Sequence, residues 1–212
     1  MATLTIEPAS RSAPRFPARN ASRRNLHPRS LPFVAATIAL LALSSPRFVI
    51  AQSPRPTPSQ VEAAYLFNFG KFVTWPADHA PSDSFAICIL GKDPFGPVLD
   101  STVAGESIGS KKIGVRRLTK IQDGSRCNIL FISSSEDDHL SSILTAAQKM
   151  NLLTVSDIKR FAERGGTIGL VTQKDKIRFE VNRAAAEHCH LTVSSELLKV
   201  AVRVVEVPAP TD

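Results

Sequence analysis

Apolar residues follow two kinds of pattern along the chain beyond residue 58. At 59–73 they recur at helical spacing, which predicts an amphipathic helix that ends before Trp75-Pro76. Residues 85–91 and 127–132 are continuous apolar runs flanked by turn residues, which is typical of strands buried on both faces of a sheet. Weaker strand patterns lie at 113–118 and 152–155.

The remaining helices and strands are predicted from helix-capping serines and from the alternation of apolar and polar residues. The serines at 133–135 predict the start of a helix that runs to about 150, and a short helix is expected at 156–163. Strands at 167–172 and 176–182 are joined by a tight polar turn and form a hairpin. Further short helices are expected at 182–188 and 197–202. The pattern predicts an α/β fold, a single three-layer domain with a mixed, mostly parallel sheet, helices on both faces and a late β-hairpin.

Residues 1–51 have the pattern of an export signal. A basic, polar start is followed by a compact apolar run at 31–43, too short for a bilayer span of about 20 residues but suited to the centre of a signal peptide. Val49-Ile50-Ala51 predicts cleavage after Ala51, with an earlier cut near Ser44 or Ser45 as the alternative. Ser22-Arg23-Arg24 leaves open whether export is general secretory or twin-arginine. We therefore expect a periplasmic protein.

The basic charge is concentrated in this same segment. The sequence has 26 Lys+Arg and 19 Asp+Glu, a net charge of +7, and residues 1–51 hold seven of the bases and one of the acids. The rest carries 19 bases and 18 acids, a net charge of +1, without a basic patch interleaved with aromatic residues. We therefore expect no nucleic-acid partner. The exported part is expected to comprise a flexible lead-in at 52–58, one domain at 59–206 and a tail at 207–212.

All three cysteines lie in the exported part. Cys88 and Cys127 each belong to one of the continuous apolar runs, and an oxidising compartment would maintain a disulfide between them if the strands are neighbours. Closing a loop of this length would stabilise the fold by roughly 4 kcal/mol. The alternative is two buried free thiols. Cys189 is the unpaired residue and is expected to be a free thiol.

The sequence contains few signs of catalytic chemistry. It lacks the nucleophile-elbow, P-loop, dinucleotide-binding and zinc-protease motifs. The serines at 133–135 are explained as helix caps, and Gly165-Gly166 as a turn that needs positive φ. His188-Cys189-His190 offers two imidazoles, but no third and fourth ligand follows at a recognisable spacing. We therefore predict no catalytic residue, no metal and no cofactor.

Two surfaces are candidates for contact with another protein. The aromatic stripe of the first helix, which includes Tyr65, is more simply explained as core, and Asn68 at its edge is expected to make a half-buried hydrogen bond. In the strand at 176–182, Arg178, Glu180 and Asn182 point away from the apolar side chains. This polar face is the stronger candidate, with an ordinary solvated face as the alternative.

A set of short motifs extends over nearly all of the exported part. It comprises residues 63–69 (AAYLFNF) with Phe72 and Trp75-Pro76, 88–91 (CILG), 93–96 (DPFG), 127–133 (CNILFIS), 153–157 (LTVSD) with Phe161, Gly165-Gly166, 177–182 (IRFEVN) and 191–198 (LTVSSELL). In this order and at these spacings the set resembles the YfiR-like family of periplasmic proteins. We assign Tyr65, Asn68, Trp75, Gly165 and Gly166 a structural role within it.

The resemblance implies a regulator without enzymatic activity. YfiR-like proteins restrain a membrane-bound diguanylate cyclase by binding its periplasmic sensor portion, and release of this restraint raises cyclic di-GMP and favours biofilm. They are associated with dimers and with redox-sensitive disulfides, which supports the Cys88–Cys127 bridge. Ala162 and Gly169 stand about where a second family bridge would fall. The resemblance also implies partner contact at Glu180, together with its neighbours Ile168 and Asn182.

Other partners and functions remain open at this point. The resemblance also allows a sensor kinase as the inner-membrane partner. A periplasmic small-ligand binding module is the alternative function. A hydrolase is the remote alternative, and it would require His188 or His190 beside a serine.

Overall fold

The computed structural model describes residues 55–77 and 84–207, which belong to one compact unit. The predicted signal peptide at 1–51, the start of the lead-in and the tail beyond residue 207 lie outside the described residues. The described helices are α1 (Pro58–Phe72), α2 (Pro97–Val103), α3 (Leu140–Lys149), α4 (Arg183–His188) and α5 (Ser195–Val200). Short 3₁₀ helices cover Ile121–Arg126, Ser134–His139 and Ala162–Arg164.

The described strands form one large sheet and one small ribbon. They are β1 (Val73–Thr74), β2 (Ser84–Leu90), β3 (Ser107–Ile108), β4 (Lys111–Leu118), β5 (Ile129–Ile132), β6 (Leu153–Ser156), β7 (Ile168–Gln173), β8 (Lys176–Asn182), β9 (Thr192–Val193) and β10 (Arg203–Val205). The large sheet has the order β10-β8-β7-β6-β5-β2-β4-β3, and β1 pairs with β9. All pairs in the large sheet are parallel except β3–β4 and the hairpin β7–β8. The predicted α/β fold and late hairpin are confirmed.

Helices cover the large sheet on both faces. One core contains Ile87 and Phe131 and packs against α1, α2, α4 and α5. The other contains Cys88 and Leu130 and packs against α3. Neighbouring residues of β2 and β5 thus enter different cores, so β2 is apolar from Phe85 onward and β5 is apolar throughout. This arrangement confirms the predicted three layers.

Helix α1 carries the aromatic residues that join it to the hairpin. Thr57 and Gln60 form a capping box at its start. The Tyr65 ring lies 5.4 Å from that of Phe179, and its hydroxyl donates to the Ile177 carbonyl at 3.2 Å. The predicted helix and its core-facing stripe are therefore confirmed over most of their length.

Two residues at the edge of the aromatic stripe of α1, Phe72 and Asn68, are more exposed than the sequence predicts. Phe72, in the last turn of α1, is 40% exposed. Asn68 is exposed, and its amide donates to the Ala64 carbonyl one turn earlier in the same helix at 2.8 Å. The predicted half-buried hydrogen bond of Asn68 is therefore wrong, because the side chain is exposed and bonds to the backbone of its own helix. The Trp75 ring contacts that of Phe85 edge to face at 5.2 Å.

The helix predicted at 156–163 is wrong. The Ser156 hydroxyl donates to the Ile132 carbonyl at 2.7 Å and accepts from the Ile158 backbone N–H at 3.0 Å, which directs the chain into a turn. Arg160 has a φ of 60°, which no right-handed helix contains. Only the 3₁₀ turn Ala162–Arg164 remains.

Two adjacent glycines close this segment. Gly165 has a φ of 95°, as the sequence predicts for the turn. Gly166 is required by packing, since a Cβ there would lie 2.1 Å from the Phe161 ring. Farther on, a Cβ built on Gly169 would lie 3.8 Å from that of Ala162, within the range of a disulfide. The place of a second bridge is therefore present, but its cysteines are not.

The disulfide joins Cys88 of β2 to Cys127, which lies two residues before the neighbouring strand β5. Both residues are fully buried, and the bridge closes a loop with a sequence separation of 39. Cys189 is a buried free thiol, and burial raises its pKa to about 11. The predicted pairing is confirmed, and the remaining thiol is poorly suited to reaction.

Alkylation tests this pairing. We expect the exported protein, unfolded without reductant and treated with iodoacetamide, to gain one adduct, at Cys189, and to gain three after reduction. Replacing both bridged cysteines by alanine should destabilise the domain by roughly 4 kcal/mol in chemical unfolding. Three adducts without reductant would contradict the bridge.

Candidate functional site

The four residues predicted to contact a partner occupy different environments. Arg178 is exposed and Glu180 half-buried, whereas Ile168 and Asn182 are fully buried. The prediction that Asn182 lies on an exposed polar face is therefore wrong. The reason is that the chain at Ala162 and at Val207 lies against this side chain and accepts hydrogen bonds from its amide. The unpredicted strand β10, which pairs with β8, leads the chain to Val207. In this conformation a partner can reach only Arg178 and Glu180 directly.

Asn182 instead fixes three segments of the chain. Its side-chain amide donates to the carbonyls of Ala162 at 2.9 Å and Val207 at 2.8 Å. Its side-chain oxygen accepts from the backbone N–H groups of Ala185 and Val207, both at 3.2 Å. The same oxygen thus caps α4 and holds the last described residue.

Glu180 is bound to the C-terminal strand by an ion pair. The Arg203 guanidinium donates two bonds to its carboxylate, at 3.0 and 2.9 Å. A third guanidinium nitrogen lies 2.6 Å from Glu163, which also binds Arg160. Hydrogen bonds from Arg160, then Arg203, hold the pKa of Glu163 below its usual value. We call Glu180, Asn182, Arg203 and Val207 the C-terminal latch.

The latch places an apolar strip at the edge of the sheet. Val202 and Val204 flank Arg203 and are 40% and 43% exposed, and Val200 at the end of α5 is 62% exposed. With Phe72 these are the exposed large hydrophobic residues of the described part of the chain. Since β10 is the edge strand, its backbone and these valines can pair with another chain.

A separate cavity of about 380 Å³ lies at the carboxyl end of β6. It is open to solvent on one side and is bordered by α1, the segment that follows β6 and the far end of the β7–β8 hairpin. Its lining residues are Glu62, Asp157, Ile158, Lys159, Arg160, Leu170, Val171, Thr172 and Ile177.

Two carboxyl groups of this cavity have raised pKa values. Burial, and secondarily the charge of Asp157, raises the pKa of Glu62 to about 7. Burial by the surrounding atoms also raises the pKa of Asp157, although this residue lies at the exposed rim. Neither carboxyl group forms an ion pair with another described residue. Such groups mark candidate functional sites.

His188 and His190 do not line the cavity beside Glu62. His188 and His190 line a shallow depression with Ala184 and Glu187, and no serine is part of this lining. Within the described part of the chain, no three His, Cys, Asp or Glu side chains converge as metal ligands would. None of the helices in residues 55–77 and 84–207 combines the length and hydrophobicity needed to cross a bilayer.

The residues that the sequence did not indicate are Glu62, Asp157, Glu163 and Arg203. No pattern along the sequence assigns these four residues to a site, because the groups that surround Glu62 and Arg203 come from distant elements. Arg203 is 23 residues from Glu180, and no spacing rule relates the two positions. Only the pairing of β10 with β8 brings them together.

Comparison with known proteins identifies a family and a fold. A model of the YfiR/HmsC-like family matches residues 59–202. A conserved domain protein from Vibrio cholerae O1 biovar eltor has a similar fold, with a TM-score of 0.50 at 11% identity over 70% of this chain and 60% of that chain. The chain therefore spans less than two thirds of that protein. None of the curated proteins matches.

Two further solved structures have lower scores. An ABC domain from Streptococcus pneumonia, solved in complex with L-Trp, has a TM-score of 0.47 at 10% identity over 70% of this chain and 60% of that chain. The open, ligand-free substrate binding protein CD0873 from Clostridium difficile has a TM-score of 0.41 at 8% identity, over 59% of this chain and 56% of that chain. We draw on neither for function.

Asn182→Ala should destabilise the domain by about 1–3 kcal/mol, because buried backbone groups and the start of α4 lose their partner. Asn68→Ala is the matched control, since this side chain is exposed and bonds only within its own helix. Urea unfolding of both variants measures the difference. Equal stability of the two variants would contradict the role of the latch.

Glu62→Gln should remove a pH dependence of stability. The folded pKa of about 7 exceeds the ordinary value of 4.5, so the stability of the wild type is full below about 4.5 and falls as the pH rises through 7. At pH 8 the variant should be the more stable protein by on the order of 1 kcal/mol, allowing for partial exposure. Thermal unfolding from pH 4.5 to 8, with the exposed Glu106→Gln as control, measures this. Parallel curves for wild type and Glu62→Gln would contradict the shift.

Proposed function

We propose that this chain, which belongs to the YfiR/HmsC-like family, binds and restrains the periplasmic portion of a membrane-bound signalling protein, most directly a diguanylate cyclase. The family is known for regulation of this kind rather than for catalysis. Support comes from the family match over 59–202 and from the Cys88–Cys127 disulfide, which fits an oxidising compartment. Export through the segment 1–51 and residence in the periplasm are part of the proposal.

The observation that carries the proposal is the apolar strip on the edge strand β10. An edge strand offers backbone hydrogen bonds, and alternate side chains provide specificity. Val202 and Val204 supply the apolar contacts, and Glu180 holds this strand in place through Arg203. Glu180 therefore influences partner binding by positioning β10, whereas Arg178 is free to contact the partner directly.

Restraint of a cyclase requires a difference in affinity. A repressor that binds the inactive state of the sensor portion more tightly than the active state shifts their equilibrium by this difference and no more. A shift of 100-fold in the ratio of the two states requires about 2.8 kcal/mol of differential binding. A few apolar and backbone contacts at one sheet edge are sufficient for this magnitude.

A small-ligand binding module is the second candidate function, and the cavity beside Glu62 favours it. In α/β sheets, ligands bind outside the carboxyl ends of parallel strands, which is where this cavity lies. The two functions are compatible in one domain. The depression beside His188 and His190 gives no comparable support to a hydrolase.

Deleting the gene should raise cyclic di-GMP in the encoding bacterium, because the cyclase loses its restraint. Mass spectrometry of nucleotide extracts measures this, and reintroduction of the wild-type gene should restore the original level. An unchanged level in the deletion strain would contradict regulation of a cyclase and leave a sensor kinase as the partner to examine.

Val204→Asp should fail to restore the low level of cyclic di-GMP, since a charge on the apolar strip opposes docking. Glu180→Lys should also fail to restore the low level of cyclic di-GMP. This substitution would place a positive charge beside Arg203 and so detach β10 from β8, while both hydrophobic cores remain intact. Thr192→Asp, on the exposed side of β9, is the matched control and should restore it. Restoration by all three variants, at equal protein abundance, would contradict a docking surface at β10.

A further inference from the structure

We propose that the cavity between α1, the segment after β6 and the β7–β8 hairpin binds a small molecule that carries a protonated amine on an apolar body. This inference deepens the ligand-binding candidate and rests on it. It is independent of the identity of the protein partner.

The shape of the cavity fits a small organic molecule. Its volume of about 380 Å³ falls within the range of small-ligand sites. Leu170, Ile158 and Ile177 supply apolar walls, of which the first two are buried and the third half-buried. A ligand with an aliphatic or aromatic body would displace water from these walls and gain affinity.

The charge of the cavity selects for a cation. Glu62 and Asp157 lie close enough for each charge to oppose the other, and no described cation pairs with either of them. A half-buried carboxylate without a partner, as at Glu62, is unfavourable, and a bound ammonium group would supply the missing charge and hydrogen bonds. An anionic ligand would meet repulsion at the same position.

The two basic residues of the lining do not neutralise these acids. Arg160 is bound to Glu163, outside the cavity. Lys159 is exposed at the rim, where its ammonium group is solvated. Two carboxyl groups are also fewer than the six to eight oxygen ligands that a calcium ion takes, so an organic ammonium fits better than a divalent metal.

The segment that carries Asp157 is held in its lining conformation. Ser156 fixes it through hydrogen bonds to Ile132 and Ile158, at 2.7 and 3.0 Å. Arg160 keeps a positive φ of 60°, a conformation that costs free energy for a residue with a side chain. On the opposite wall, Tyr65 ties α1 to the hairpin through the Ile177 carbonyl. The cavity is thus preorganised for a ligand.

The proposal predicts a specific pH dependence. An ammonium ligand requires the ionised form of Glu62, so its affinity should increase as the pH rises from 6 to 8. The charged groups that face Glu62 across the cavity are Asp157, Lys159 and Arg160. Asp157 acts in the same direction as Glu62, since burial also raises the pKa of its carboxyl group.

Calorimetric titration of the exported protein with n-hexylamine tests the site. We expect saturable binding that strengthens about tenfold between pH 6 and pH 8, and binding at least tenfold weaker in Glu62→Gln and in Asp157→Asn. Glu106→Gln is the matched control and should bind as the wild type does. 1-Hexanol, which has the same chain without the charge, should bind at least tenfold more weakly than the amine.

Each contrary result overturns the proposal. The proposal is contradicted if n-hexylamine does not bind, or if 1-hexanol binds as tightly as the amine. It is also contradicted if Glu62→Gln binds the amine with the affinity of the wild type. Binding of calcium with the same sensitivity to Glu62→Gln, in place of the amine, would replace it with a metal site. Circular dichroism shows that each variant is folded, and none of these results depends on the cyclic di-GMP response.

Discussion

The architecture depends on the burial of β2 and β5 between two cores. Ile87 and Phe131 face one core, and Cys88 and Leu130 face the other. Because β2 from Phe85 onward and all of β5 are buried, the register of these strands determines where the helices on both faces pack. The Cys88–Cys127 bridge joins the two strands at the point where β5 begins, and Asn128 helps to start the ladder by accepting from the Ala86 N–H at 3.0 Å. The functional features lie at the margins of this rigid centre.

Two surfaces outside this buried centre, the sheet edge at β10 and the cavity at the carboxyl end of β6, have different properties. At one edge of the sheet, the C-terminal latch attaches a short strand to β8 and presents valines to solvent. At the carboxyl end of β6, two carboxyl groups face a cavity against apolar walls. The hairpin β7–β8 belongs to both, since Glu180 is in the latch and Ile177 lines the cavity. A ligand that alters the hairpin could therefore change the position of β10, which provides a physical route between the two surfaces.

The fold could be predicted because the local pattern and the tertiary structure agree. Continuous apolar runs identified β2 and β5, and their cysteines indicated the bridge. The site was predictable only in part. Alternation placed Asn182 beside Glu180 on an outward face, but it could not show that the chain at Ala162 and at Val207 would cover the Asn182 side chain. Glu62 and Asp157 come from elements far apart in the sequence, and only the completed sheet brings them to one cavity. The motif Asp93-Pro94-Phe95-Gly96 has a structural role, since Arg117 binds Asp93 and Asp100 across its turn.

The central claim is that the edge strand β10 is where this regulator contacts its partner. Hydrogen–deuterium exchange of the domain, with and without the purified periplasmic portion of the proposed cyclase partner, measures this contact directly. The account predicts slower exchange on binding at the amides of residues 202–205, with the amides of β2 and β5 unchanged. Protection confined to α3 or to the region of His188 and His190, with β10 unaffected, would contradict it.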